Sequence, residues 1–224
     1  DVICLQEVKC KDKPVVIDGY DHFYVNSDRN AYSGCLIMTL EAPENILYGM
    51  GDKELDPEAR VIAAEYPNYY IVNAYFPNTV DKIERGLFRI RWTEKYREFV
   101  SGLMRKKDVI LCGDFNATVS ETDYYSENTR IFRMEEEGFE TDERIAIKEI
   151  LQLGYIDAFR LLYPKKENVF SHWAVKGGGK EENQGVRLDY FFITQRLRTL
   201  VEDVIYHDGI TGSDHCPVEI RMGV

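Results

Sequence analysis

DVILCGDFN, residues 108–116, sets the frame for the rest of the chain. Val109, Ile110, Leu111 and Cys112 form an apolar run with no polar alternation, and the run ends abruptly in Gly113, Asp114 and Asn116. Such a run suits a strand buried on both faces, with its polar groups delivered at the C-terminal end. Immediately upstream, from Asp81 to about Lys107, the period changes. Phe88, Trp92, Tyr96, Phe99 and Leu103 recur at spacings of four and three, which predicts one long amphipathic helix. Before that helix, RVIAAEY at 60–66 and YYIVNAY at 69–75 flank Pro67 and Asn68, the pattern of an antiparallel hairpin.

Further out, FYV at 23–25 and CLIMT at 35–39 also read as strands, and DVICLQEVKC at 1–10 begins in what reads as the middle of a buried one. Downstream, Ile147, Ile150 and Leu151 share a face and predict a second helix near 142–152. RLDYFFIT at 187–194, DVIYH at 203–207 and PVEIRM at 217–222 return to strands, the last alternating Val218, Ile220 and Met222 inward. KGGGKEENQG at 176–185 is the one loose segment, and its glycines with Lys180 lack the pattern of a phosphate-binding loop.

The 224 residues, 44% hydrophobic, suffice for one sizeable core. No stretch approaches the roughly 20 apolar residues of a membrane span, so no membrane partner is expected. Five cysteines without tight pairing or metal-type spacing read as reduced, mostly buried thiols of an intracellular protein. A net charge of −11 argues against coating nucleic acid by bulk electrostatics, although a local basic rim, with Lys9, Lys11, Arg85, Lys176 and Arg187 as candidates, could still grip phosphates.

Strand ends carry the chemistry. Glu7 follows VICLQ, YFPN (75–78) follows YYIVNA, DFN (114–116) follows DVILCG, and SDHCP (213–217) leads into the last strand. Polar groups at the ends of central strands converge on one sheet edge, where α/β and sandwich enzymes commonly place a site. Acids there suit a hard cation such as Mg²⁺, and a histidine beside an aspartate suits acid–base or phosphate-binding work. Together they suggest metal-assisted phosphodiester hydrolysis. Taken singly, each group has a plainer reading: Glu7 as a solvated strand-end acid, DFN as a local turn, Tyr75 as a core aromatic, His215 as a structural histidine. His22, His172 and His207 keep that structural reading.

Taken in order, LQEVK (5–9), YSG (32–34), NAYFPN (73–78), ILCGDFN (110–116), FSHW (170–173), RLDYFFIT (187–194) and GSDHCPVEI (212–220) resemble the exonuclease III family of apurinic/apyrimidinic endonucleases along essentially the whole chain. The resemblance implies an α+β fold, a four-layer α/β sandwich of two packed, mostly antiparallel sheets flanked by helices. It makes residues 1–224 a single catalytic domain that lacks the family's first strand and helix, about 25–30 residues at ordinary element lengths. By resemblance, Glu7 binds Mg²⁺, with Mn²⁺ as a substitute, and Asp214 supports the metal site. Asp114 positions or deprotonates the attacking water, Asn116 helps hold it, and Asp189 orients His215. Tyr75 and Asn78 contact phosphate, and Trp173 lines the pocket for the base-less sugar. The implied partner is duplex DNA containing abasic sites, cut by a monomer. Departures accompany the matches: Val119 stands where the family has a histidine, Val186 where it often has a tryptophan, and His172 where a second aromatic is common. Two alternatives remain: a superfamily phosphoesterase acting on a substrate other than DNA, and a catalytically weakened DNA-binding module.

Overall fold

A computed structural model describes residues 1–10, 16–79, 83–125, 141–174 and 179–223. Lys11, Lys176 and much of the glycine-rich segment lie outside the described residues. Contacts divide the chain into two compact units, Asp1–Asp114 and Phe115–Val224.

In the first unit, β1 (Val2–Gln6), β2 (Asp21–Val25) and β3 (Cys35–Thr39) form an antiparallel sheet in the order β1-β3-β2. A second sheet runs β4 (Asn45–Tyr48), β5 (Val61–Glu65), β6 (Tyr69–Tyr75), β7 (Asp108–Asp114). The expected hairpin is β5–β6. β6 and β7 are parallel, and α1 (Ile83–Met104) makes the crossover that a parallel pair requires. Parallel pairing brings both C-termini to one edge, with Tyr75 directly opposite Asp114. Gly113 makes that pairing possible: its φ is +127°, and a Cβ there would lie 2.0 Å from the Ala74 carbonyl oxygen.

Two expectations change in this unit. The opening strand is an edge strand, paired with β3 and half-buried, with Leu5 40% exposed. The buried stripe of α1 runs through Trp92, Tyr96, Val100 and Leu103, so Val100 takes the place expected of Phe99, while Phe88 and Phe99 are half-buried. A step of four from Tyr96 keeps the stripe on one face as well as a step of three does, and packing selected the smaller side chain.

The second unit contains α2 (Asp142–Gln152), capped by the Thr141 hydroxyl, which accepts from the Arg144 amide at 3.2 Å. Ile147 and Ile150 are buried on it as expected. β8 (Tyr155–Asp157) leads into the short α3 (Ala158–Leu162). β9 (His172–Trp173) pairs with β10 (Gly185–Val186), β11 (Asp189–Thr194) with β8, and β12 (Val201–Tyr206) with β13 (Val218–Met222), all antiparallel. Among the described residues all five cysteines are free thiols, with Cys35, Cys112 and Cys216 buried.

Candidate active site

In the first unit three expected residues meet at the shared end of β1, β6 and β7. The Tyr75 hydroxyl donates a short hydrogen bond to Glu7 Oε1, and Lys9 Nζ donates to Glu7 Oε2 at 2.8 Å. Glu7 and Lys9 both adopt left-handed backbone conformations, with φ of 53° and 49°. The Val8 and Lys9 amides are tied to the Gly34 and Ser33 carbonyls at 3.2 and 2.9 Å. That kink turns Glu7 out of the strand, a local strain of the kind found at functional sites. Asp114 is buried at the end of β7.

Tyr75 is held from behind. Arg60 stacks on its ring at 4.5 Å, donates to its carbonyl at 3.1 Å and pairs with Glu58 at 2.7 Å. Burial, and then the bond to Glu7, push the Tyr75 hydroxyl well above the usual phenol range. It therefore remains a proton donor throughout the neutral range. The next residue, Phe76, is fully buried edge-on against Trp92 and Tyr96 of α1, and Arg89 donates to the Pro77 carbonyl. Those contacts anchor the loop and leave Asn78 exposed. Arg85, expected to meet DNA, forms an ion pair with Glu58 at 2.7 Å.

In the second unit Asp189 Oδ2 and His215 Nδ1 are 2.7 Å apart, at the start of β11 and just before β13. Ser171 is the keystone of this arrangement. Its hydroxyl accepts from the Leu188 and Asp189 amides at 2.9 and 3.0 Å, and its carbonyl accepts from the Cys216 amide at 2.8 Å. The Tyr206 hydroxyl donates to the Asp189 carbonyl at 2.9 Å. Asp214 lies beside His172, with Oδ2 3.7 Å from Nε2, and the His172 and His215 rings are 4.8 Å apart. Burial, and then the neighbouring His215, lower the His172 imidazole below its ordinary range. Asn116 follows Phe115, which is buried against Tyr190 and Phe192, and takes a left-handed φ of 45°. The DFN turn thus has the same design as YFPN, a buried phenylalanine fixing its polar neighbours.

Two expectations are corrected. Arg187, expected at DNA, is 0% exposed: Nε donates to Asp123 at 2.9 Å and Nη2 to Asp157 at 2.6 Å, with its guanidinium over Tyr190 and Phe159. Trp173, expected as a pocket wall, is buried against Phe170 and Cys216, its indole donating to Asn183 at 3.2 Å, so it supports the histidine strand from beneath. His172, read as structural, stands beside His215 because an antiparallel bridge places the two residues opposite each other. Asn73 was also missed. Wholly buried in β6, it donates to the Leu5 and Leu36 carbonyls at 3.0 Å and accepts from Gln6 at 2.7 Å. A lone amide in the apolar run YYIVNAY was the available signal.

Strand-end carboxylates that can hold a hard cation and an imidazole fixed by an acid suit attack by water on a phosphoester, which defines a phosphodiester hydrolase. The chain belongs to the Endonuclease/Exonuclease/phosphatase family, whose profile matches residues 1–215. It is 37% identical over 226 residues to an exodeoxyribonuclease of Bacillus subtilis (strain 168), covering 100% of this chain and 88% of the relative. It is 36% identical over 231 residues to the DNA repair nuclease APEX1 of Danio rerio, covering 100% of this chain and 74% of the relative. The crystal structure of the AP endonuclease LMAP from Leishmania major superposes with a TM-score of 0.87 at 29% identity, covering 99% of this chain and 78% of that one. The α+β class expected from the sequence therefore holds, and the chain shares the AP endonuclease fold.

Proposed function

We propose that the chain is an Mg²⁺-dependent DNA repair nuclease that hydrolyses the phosphodiester on the 5′ side of an abasic site in duplex DNA, with Mn²⁺ as a substitute metal. The observation that carries this reading is the Asp189–His215 pair at 2.7 Å, held by Ser171. With Nδ1–H directed at Asp189, the tautomer is fixed and any positive charge on the ring is stabilised. The opposite nitrogen, Nε2, then serves the phosphate as negative charge develops there. Asp114 takes the proton of the attacking water, Asn116 and Asn78 orient water and phosphate, and the Tyr75 hydroxyl donates to Glu7 and steadies its carboxylate. Lys9 and the buried Trp173 act through Glu7 and the histidine strand.

The donor set fits the metal. Glu7 offers oxygen alone, is half-exposed and already faces a cation, the Lys9 ammonium at 2.8 Å. Glu7 would hold Mg²⁺, and the ion when bound would offset phosphate charge. The relatives' names, one an exodeoxyribonuclease and one a DNA repair nuclease, support action on DNA and favour an accompanying 3′-exonuclease activity over a substrate outside nucleic acid. No helix among the described residues is long and apolar enough to cross a membrane; the enzyme proposed is an intracellular monomer working on DNA. The test is a labelled duplex carrying one tetrahydrofuran abasic analogue. Incision 5′ to the analogue with Mg²⁺, abolished by chelator and absent from the intact duplex, is the expected result. Equal cutting of both duplexes would reject the abasic preference.

A further inference from the structure

His172 is the residue of the second unit that the nuclease reading leaves without a task. One ring nitrogen of His172, one of His215 and a carboxylate oxygen of Asp214 lie within 4.8 Å of one another. We propose that these three side chains form a binding site for a borderline-soft divalent cation of the Zn²⁺ class, and that its occupation silences the enzyme by taking the His215 imidazole.

The donor chemistry carries the assignment. Two imidazole nitrogens and one carboxylate oxygen are the protein ligands of many three-ligand zinc sites, with water as the fourth, whereas Mg²⁺ prefers oxygen alone. Ligands about 2.0–2.1 Å from a tetrahedral ion lie roughly 3.4 Å apart. His172 Nε2 and Asp214 Oδ2, at 3.7 Å, are close to that spacing already, and no two of the three ligand atoms are more than 4.8 Å apart. The backbone is organised for it. His172 and His215 face each other across an antiparallel bridge, and the Trp173 amide donates to the Asp214 carbonyl at 3.0 Å, so all three ligands are carried on two paired segments. Asp189 on His215 Nδ1 is the outer carboxylate that ligating histidines commonly have, and it directs Nε2 to the ion. The Cys216 thiol is turned to the Phe170 carbonyl at 3.7 Å, so the site is nitrogen and oxygen, without sulfur.

Zinc binding stands on the cluster alone; the inhibitory half rests on the proposed role of His215. Titration calorimetry of ZnCl₂ into the full chain should show one ion bound, with at least tenfold weaker binding in His172→Phe and in His172→Gln, each first shown to melt as the parent does. Co²⁺ in place of Zn²⁺ gives a second readout, visible ligand-field bands in the parent that are lost in both variants. Under Mg²⁺, added Zn²⁺ should inhibit abasic-site incision by the parent and spare the variants, each scaled to its own zinc-free rate. Equal zinc affinity in parent and variants overturns the site. Zinc binding that depends on His172 but leaves incision untouched supports the site and rejects the role given to His215.

Discussion

Replacing Arg187 with methionine separates the two tasks that an arginine before a site strand can have. Its guanidinium makes three hydrogen bonds to two buried carboxylates, at 2.9 Å to Asp123 and at 2.6 and 3.3 Å to Asp157. Removing one partner of a buried ion pair costs about 3–5 kcal/mol, because the remaining charge stays desolvated. Asp123 retains Arg160 at 2.7 Å and the Val119 and Ser120 amides, so the cost belongs toward the lower end of that range. At roughly 2–4 °C per kcal/mol for a chain of this size, a cost near 3 kcal/mol should lower the melting temperature by about 6–12 °C. Acid sensitivity should move with it. Burial alone would raise the Asp123 carboxyl, yet the charge and hydrogen bonds of Arg187 and Arg160 hold it below the usual value. A depressed carboxyl contributes stability that is complete above its unfolded value of about 3.9 and is lost as pH falls through the lower folded value. Without Arg187 burial dominates, and the acid loss should begin at higher pH. The assays are thermal melts across a pH series and DNA binding across a salt series. An unchanged melting curve, with the slope of log K against log salt reduced by about 0.9, the share of one phosphate contact, would refute the structural role and return Arg187 to the DNA surface.

Three further outcomes are expected. Glu7→Gln, nearly isosteric, should keep the melting temperature while raising the Mg²⁺ requirement and lowering the rate; an unaltered Mg²⁺ titration would remove Glu7 from the metal site. Asp189→Asn and His215→Ala should combine non-additively in kcat, since a pair acting as a unit loses most of its effect with the first change, and simple multiplication of the two losses would show independence. Gly113→Ala should cost more than about 4 kcal/mol, in the exceptional class for a single substitution, because its Cβ would meet the Ala74 carbonyl. Gly86→Ala, in α1 with nothing within 4 Å of the added carbon, should instead stabilise by up to about 1 kcal/mol. Denaturant melts of the two variants that failed to differ would contradict the close approach of β6 and β7.

The sequence was legible where an element is long enough to show a period. β6 and β7 match their apolar runs residue for residue, because turn residues bound both, and α2 follows from Ile147 and Ile150. β4, β8, β9 and β10 have two to four residues each, too few to display alternation. Among the site residues, Glu7, Tyr75 and Asp114 were visible as polar stops at strand ends, whereas the link between Asp189 and His215, 26 residues apart, has no local signature and came from the family resemblance. Arg187 was misjudged because arginine is exposed by default, and the acids that bury it lie 64 and 30 residues away. The neighbour of His172 was hidden in the same way: it stands across a ladder, not along the chain.

The buried amide of Asn73 does more than fill a core position. VICL in β1 carries no alternation that would tell one pairing with β3 from another two residues along, since such a slip preserves which side chains face inward. Asn73 removes the degeneracy by gripping the Leu5 and Leu36 carbonyls, which lie opposite each other on the same rung, and by receiving Gln6 one step on. It works as an indexing pin. A slip of two residues would carry Glu7 roughly 6.8 Å along the strand, out of reach of the Tyr75 hydroxyl, in a molecule whose core looked almost unchanged. Loss of the pin should therefore leave a protein that folds but is miscalibrated, the Glu7 carboxylate displaced while the shape persists.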